Sequence, residues 1–280
     1  MKMRKFILYS LFFSPLLVWA GGGWTQDKGS GFYKLGQNVI IGTQYFTPDG
    51  SIEPITTISL YTTSIYAEYG ITDRITGILY FPFFVRSTLN EERLSTGQLV
   101  TRGDAFNGLG DTDISIKYGI TKGKQVALSA SLTFGLPLGT TDGGETGILQ
   151  SGDGEFNQMI SLDAGTGFGN GIYANANLGF NNRTKKFSNE VRYGFESGWS
   201  NGKLTGLIRF IGIKPIGEEE APGNVNNGVF GNRIEYLSFT PETLYLFSDK
   251  IGVSLSVGMA FYGKRILANP NYGFGLFMKL

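Results

Sequence analysis

The sequence predicts an all-β fold: a transmembrane antiparallel up-and-down β-barrel of about twelve strands. The segment 251–262 carries the clearest signal, because large apolar residues from Ile251 to Phe261 alternate with glycine, serine and alanine. Successive side chains of a strand point to opposite faces, so this strand has one apolar face and one small, mildly polar face. The segment 126–136 repeats the pattern. A wall between lipid and a narrow lumen has this character, although a soluble all-β sandwich is the alternative reading of the pattern alone.

The N-terminus favours the membrane barrel over the soluble alternative. Three basic residues among the first five precede a short apolar run that ends in the small residue Ala20. This is the pattern of a secretory signal peptide, and the run is shorter than the roughly 18 residues of a spanning helix. We therefore predict a signal peptide over 1–20, cleaved after Ala20, and one barrel domain over 21–280 in the cell outer membrane.

Composition agrees with this prediction and excludes several classes of function. The 42 glycines and the 22 Phe, 14 Tyr and 3 Trp suit closely packed strands with aromatic rings at the membrane interfaces. The chain has no Cys and no His, which excludes disulfides, Ser–His–Asp or Cys–His catalysis and the usual zinc ligands. Its 24 basic and 23 acidic side chains leave no basic excess for nucleic acid. We predict that the chain is not an enzyme and has no catalytic, cofactor-binding or metal-binding residues.

Alternation and turn signals divide the rest of the chain into twelve predicted strands. In order, they are 34–46, 57–69, 75–87, 111–119, 126–137, 158–168, 172–181, 187–199, 204–214, 232–247, 251–262 and 271–280. Most of them reach the roughly 9–11 residues that a tilted spanning strand needs. Strand 75–87 is apolar on both faces, so its register stays unassigned. Pro241 lacks a backbone donor and predicts a bulge in the tenth strand.

The connections between these strands sort by length. Tight turns lie at 70–74, 120–125, 169–171, 200–203 and 248–250, and longer loops at 47–56, 88–110, 138–157 and 215–231. Short turns on one side and long loops on the other are typical of outer-membrane barrels, in which the short side is periplasmic. Seven aromatic residues near the tight turns predict a ring at one headgroup level: Tyr69, Tyr118, Phe168, Tyr173, Trp199, Tyr245 and Phe247.

Charged residues inside the strands set the predicted register. A charge on the lipid face at mid-bilayer costs on the order of 2–4 kcal/mol, so charged strand residues should point into the lumen. Ten lumen-facing candidates follow: Glu68, Asp111, Asp113, Lys117, Asp163, Glu190, Arg192, Glu196, Arg209 and Glu235. They have two interpretations, salt bridges that close the interior and a charged constriction that selects solutes. The acidic loop 142–155 also has two, a solvated surface or a calcium site, and we favour the solvated surface because no recognised ligand spacing is present.

Several short motifs resemble a known family. They are Glu-Tyr-Gly-Ile-Thr-Asp-Arg-Ile at 68–75, Gly-Leu-Gly-Asp-Thr-Asp at 108–113 with Lys-Tyr at 117–118, Leu-Pro-Leu-Gly at 136–139, Ser-Gly-Asp-Gly at 151–154 and Gly-Lys at 263–264. They look like those of the outer-membrane transporters linked to the meta-pathway of phenol degradation. The resemblance implies a monomeric barrel that passes small hydrophobic or aromatic compounds. The chain departs from hydrophobic-compound channels in having no long apolar plug before its first strand.

Together these observations predict an outer-membrane channel for passive transport of small solutes, in contact with outer-membrane lipid and without a cofactor. The alternative is a closed structural barrel whose long surface loops bind partners. A lumen lined by enough glycine and serine would conduct, and a lumen filled by salt bridges would not. The predicted strand number lies between the small filled barrels and the open porins, so it is compatible with either function.

Overall fold

The computed structural model describes residues 22–217 and 229–280. No helix in these two ranges is long and apolar enough to cross a membrane. The predicted signal peptide and most of the predicted loop 215–231 lie outside the described residues.

Twelve antiparallel strands close into one barrel, which confirms the predicted fold class and strand number. Each strand pairs with its neighbours in the sequence, and the first strand also pairs with the last, from Phe32 opposite Lys279 to Ile40 opposite Asn271. The barrel strands are β1 Gly31–Phe46, β2 Ile52–Thr72, β3 Ile75–Leu89, β4 Thr112–Gly119, β5 Val126–Leu136, β6 Asn157–Gly169, β7 Ile172–Arg183, β8 Asn189–Asn201, β9 Leu204–Ile216, β10 Glu235–Leu246, β11 Ile251–Lys264 and β12 Asn271–Lys279.

Four short strand pieces supplement the barrel. Asp104–Gly108 pairs with the last part of β3 and continues the line of β4, and Ile266–Leu267 pairs with the end of β1. Glu92–Arg93 and Leu99–Thr101 form a small hairpin within the connection that follows β3.

The two ends of the barrel differ as predicted. At the end that we call the turn end, tight connections join β2 to β3, β4 to β5, β6 to β7, β8 to β9 and β10 to β11. The opposite end, the loop end, carries the long connections 90–111 and 137–156. The predicted long loop 47–56 is wrong, because β2 begins at Ile52. The tight turn there is held by the Thr47 hydroxyl, which bonds the Asp49 carboxylate.

The outer wall is apolar throughout the middle of the barrel. Leu255 is 62% exposed and Phe261 is 61% exposed, whereas the alternate residues Ser254 and Gly252 are buried inside. Six of the seven aromatic residues predicted to form a ring are exposed near the turn end. Tyr173 is the exception: it faces inward, is 2% exposed and donates its hydroxyl to Glu196. Its strand register places it beside Asn175 on the inner face, so it does not belong to the ring.

Two strand registers that the sequence left uncertain are settled by pairing. In β3, Thr76 and Tyr80 face inward, and a bulge opposite Ser64 then shifts the alternation. Between β10 and β11, the register shift lies at Leu237 and Ser238 and comes from an extra residue, Phe261, in β11. The bulge predicted at Pro241 in the tenth strand is therefore wrong, because Phe239 and Glu242 on either side of it keep one register, although the missing backbone donor leaves a gap in the ladder there.

The lumen as candidate functional site

The lumen contains a cavity of about 590 Å³ at mid-barrel. The wall formed by β2 to β6 is mainly uncharged and supplies Tyr66, Ile78, Tyr80 and several serine and threonine hydroxyls. The wall formed by β7 to β10 and β1 supplies the pairs of charged side chains, including Arg209 and Glu242. The cavity therefore offers both aromatic surface and charge to a solute.

A chain of alternating charges crosses the second wall in the half nearer the turn end. Lys34 Nζ lies 2.7 Å from Glu242 Oε1, Arg209 Nη1 lies 3.2 Å from Glu242 Oε2, and Arg209 Nε lies 2.8 Å from Glu196 Oε2. The Tyr173 hydroxyl donates to Glu196 at 2.9 Å. Each of these contacts joins two strands, so the chain ties β1, β10, β9, β8 and β7 together.

Small residues make this arrangement possible. Lys34 reaches Glu242 across β12 and β11, and a Cβ on Gly275 would overlap the Lys34 side chain. Ser254 lies along the same path. A glycine here removes the side chain that would otherwise block the lysine, which is the physical use of a glycine within a strand.

A second cluster lies at the loop end and surrounds Arg183. Its guanidinium is 2.6 Å from Asp153, 2.7 Å from Glu155 and 2.7 Å from Glu190, and its side chain is 4% exposed. Arg192 approaches the second oxygen of Glu190 at 2.9 Å. Because Asp153 and Glu155 belong to the connection 137–156, the cluster anchors that connection to β7 and β8.

Asp111 holds the same connection from the other side. Its carboxylate accepts the backbone N–H groups of Gly139 at 2.8 Å and Asp153 at 2.6 Å. Burial, partly offset by Arg183 and reinforced by the nearby Asp111 carboxylate, raises the pKa of Asp153 to about 6. Farther out, Asp104 accepts bonds from Thr146 and Glu145, and these bonds lower the pKa of Asp104 to about 2. The connection is therefore folded against the loop end by specific polar contacts.

The segment 22–30 lies across the turn end of the lumen. Lys117 Nζ donates to the Gly22 carbonyl at 2.9 Å, and the side-chain Nε2 of Gln26 donates to the Glu68 carboxylate at 3.2 Å. Trp24 packs edge-on against Tyr173 with ring centroids 6.3 Å apart. The sequence showed no long apolar plug, and the segment that occupies this position is instead short and largely polar.

Apolar side chains fill another part of the turn end. Leu207, Leu244 and Phe277 form a buried cluster inside the barrel, and Phe32 and Leu246 pack against it. The Phe32 and Phe277 rings stack with centroids 5.7 Å apart. Together with the segment 22–30, this cluster occupies space inside the turn end and leaves the lumen narrower there than at the mid-barrel cavity.

The structure places the sequence-derived lumen candidates as follows. Glu68, Asp113, Lys117, Asp163, Glu190, Arg192, Glu196 and Arg209 lie on the inner faces of their strands, and Asp111 lies just before β4 on the same side. They do not form one ring: Glu196 and Arg209 belong to the chain near the turn end, and Glu190 and Arg192 to the loop-end cluster.

Glu235 requires a correction. It shares a face of β10 with Phe239, which contacts the outward-facing Phe261, and it pairs with Lys264 at 3.3 Å. The neighbouring Tyr236 is the residue that faces the lumen. Glu235 begins the strand at the loop end, where an outward charge is not held in the apolar middle of a membrane, so the rule used for its register does not apply.

Sequence reasoning missed six charged residues of the interior: Lys34, Asp153, Glu155, Arg183, Glu242 and Lys279. Alternation within β10 would have found Glu242, since it lies mid-strand on the face opposite Phe239. Arg183 and Glu155 carried no such signal, because the predicted seventh strand ended before Arg183 and Glu155 was assigned to a solvated loop.

The carboxylates of the acidic loop do not come together around one point where a calcium ion could bind. Asp153 and Glu155 bind Arg183, while Glu145 pairs with Arg102 at 2.6 Å on the surface. Among the residues that the structure describes, no group of three potential metal ligands is found. The two inner carboxylates thus serve the loop-end cluster, a role that neither interpretation of this loop had included.

Comparison with known proteins gives matches of structure only. No protein-family model matches the chain, and no curated protein matches its sequence. An outer membrane channel from Pseudomonas putida F1 matches with a TM-score of 0.60 at 13% identity, covering 94% of this chain and 100% of that one. The translocator domain of the autotransporter NalP from Neisseria meningitidis matches with 0.53 at 10% identity, covering 91% and 90%. The NanC porin matches with 0.50 at 9% identity, covering 89% and 100%. These likenesses show that the chain has the fold of the outer-membrane β-barrels.

Proposed function

We propose that the chain is a passive channel of the outer membrane that admits small solutes and works as a monomer. The observation that carries the proposal is the mid-barrel cavity of about 590 Å³, which is lined from both walls and lies inside a barrel closed by one chain. Its apolar outer wall suits lipid, and its inner wall is rich in small and polar residues. We infer no enzymatic activity, because the chain has no His or Cys.

Hydrophobic or aromatic compounds are the proposed solutes. Tyr66, Ile78 and Tyr80 on one wall and Leu207 on the other provide apolar contact surface within the cavity. The sequence resemblance to the transporters linked to phenol degradation supports the same class of solute. It rests on short turn motifs, and the family assignment is part of the proposal.

A closed barrel with binding loops is the second candidate. It is favoured by the segment 22–30 across the turn end and by the extensive charge pairing of the interior. The two functions differ in whether ions pass through the lumen, so conductance separates them.

We expect the refolded mature chain to give stepwise currents in a planar lipid bilayer. Arg192→Ala and Arg209→Ala should shift ion selectivity toward cations, because charges that line the lumen act on passing ions. The barrel should stay folded, because Glu190 keeps Arg183 and Glu242 keeps Lys34 as ion-pair partners. In a closed barrel, the same variants would show no current and a lower melting temperature. Unchanged selectivity and unchanged melting in both variants would contradict the lumen positions of these arginines.

The orientation of the barrel can be tested by labelling. We propose that the loop end is extracellular and the turn end periplasmic, following the lengths of the connections. A cysteine at Asn107, which is exposed at the loop end, should react with a membrane-impermeant maleimide on intact cells, and one at Asn201 should not. The same holds for Asn226 of the predicted loop 215–231, which lies outside the described residues. Reaction at Asn201 alone would invert the orientation.

A further inference from the structure

The inner wall of the described barrel carries an excess of negative charge. Four basic side chains are each bound to at least one carboxylate: Lys34, Arg183, Arg192 and Arg209. Of the other two, Lys117 donates to the Gly22 carbonyl, and Lys279 lies on the inner face of β12 opposite Phe32. Nine carboxylates share the inner face and its loop end: Glu68, Asp111, Asp113, Asp153, Glu155, Asp163, Glu190, Glu196 and Glu242. The acids outnumber the six bases, so some acids remain available to a solute.

Asp163 is the acid best placed to meet a solute. It lies on the inner face of β6 directly opposite Asn177 of β7, and both residues line the mid-barrel cavity. Among the described residues, no base lies within ion-pair distance of Asp163. Lys117 attracts it from farther away, whereas Glu196 and Glu242 on the second wall bind bases directly. Directly opposite residues of an antiparallel pair have Cβ atoms about 4.5–5.5 Å apart, so Asp163 and Asn177 present their polar groups together.

Asn175 closes one side of this position. The residue is 6% exposed, lines the cavity and donates its Nδ2 to Glu196 at 3.3 Å. Its Oδ1 is buried against Gly22 and Gly165, so a solute in the cavity does not reach it. The polar groups that a solute meets here are therefore those of Asp163 and Asn177.

Across the cavity, Tyr66 and Tyr80 complete the surroundings. Cations are attracted to the faces of aromatic rings, and organic ammonium ions combine this attraction with N–H donors for carboxylates and amide oxygens. A carboxylate anion would instead face the carboxylate of Asp163, which would repel it.

We infer that the lumen selects small cations, organic ammonium ions among them, and that Asp163 with Asn177 forms the site that they occupy during passage. This inference rests on the proposed channel function and narrows the proposed aromatic solutes to those that carry a positive charge. It assigns Asp163 as the residue that determines specificity.

The test compares ions of opposite charge and similar size. Reversal potentials of the refolded full mature chain are measured in bilayers under gradients of potassium chloride, then of benzylammonium chloride and sodium benzoate. We expect potassium to be more permeant than chloride and benzylammonium more permeant than benzoate. Asp163→Asn, which keeps the size of the side chain, should move the reversal potential toward zero. Asp163→Ser provides a second variant in case the first does not fold, and it should move the reversal potential in the same direction.

Glu235→Gln is the matched control. It also removes one carboxylate, but from the outer face, so the reversal potential should stay at the wild-type value. A wild-type channel that prefers anions or does not discriminate would overturn the cation site and leave the channel function intact. An equal change in Glu235→Gln and Asp163→Asn would overturn the role of Asp163. A folded barrel that conducts neither ion would overturn the channel function and this inference together.

Discussion

Replacing Arg183 with methionine should lower the free energy of unfolding of the barrel by about 3–5 kcal/mol. Arg183 is buried and bound at once to Asp153, Glu155 and Glu190, of which the two glutamates are almost completely buried. Methionine is of similar length but leaves three carboxylates without their shared cation. Removing one partner of a buried ion pair lowers the stability strongly, because the remaining charge is desolvated and uncompensated. Urea unfolding titrations of the protein in lipid vesicles would measure the loss.

Arg192→Met provides the comparison for this prediction. Arg192 binds the same Glu190, but its side chain is 37% exposed, and Glu190 keeps Arg183 when Arg192 is removed. We expect a loss within the roughly 0–1 kcal/mol of an exposed pair. The Arg183 variant should also expose the connection 137–156 to added protease. If Arg183→Met lowered the free energy of unfolding by no more than Arg192→Met does, the loop-end cluster would not be what stabilises the barrel.

Removing residues 22–30 from the mature chain should increase single-channel conductance more than any substitution described above. The segment is held across the turn end by Lys117 and Glu68 and by the contact of Trp24 with Tyr173. Its deletion takes away backbone as well as side chains from the narrow end, while the pairing between β1 and β12 is untouched. The thermal stability of the barrel should therefore change less than its conductance. Planar-bilayer recording and heat-modifiability on gels measure the two effects on one preparation.

Trp24→Ala within the intact segment is the milder version of the same experiment. It removes the contact with Tyr173 but keeps the backbone bond from Lys117 to Gly22. We expect more frequent open periods at unchanged maximal conductance. If the deletion leaves the conductance at the wild-type value, the narrowest point lies elsewhere, and the loop-end connection 137–156 becomes the next region to test.

The two clusters together suggest how charge is used in this barrel. The chain from Lys34 to Glu196 and the cluster around Arg183 both join several strands. One lies toward the turn end and the other at the loop end, and the mid-barrel cavity lies between them. Paired charges at the two ends support the wall, and the carboxylate of Asp163 faces the cavity without a salt bridge to any described residue. A barrel of this size can thus keep a polar interior without filling it completely.

The sequence by itself determined the barrel, its strand number and the difference between its ends. This is possible because lipid on one side and a lumen on the other impose a two-residue alternation on every strand, and each connection shows its length directly. The charge rule also agrees with the structure where a charge lies mid-strand, as at Asp163, Glu196 and Arg209. It failed at Glu235, because this residue lies at a strand end, outside the apolar middle of the membrane where a charge on the lipid face is costly.

Only the tertiary structure decided which charges meet and what enters the lumen. Lys34 and Glu242 bind each other although they lie more than two hundred positions apart in the chain. Arg183 binds carboxylates of a loop and of a neighbouring strand. Such contacts depend on barrel closure and on the path of individual side chains, neither of which alternation encodes. The polar segment 22–30 has no hydrophobic pattern, so its place across the turn end follows from single hydrogen bonds to inward-facing residues that exist only once the barrel has closed.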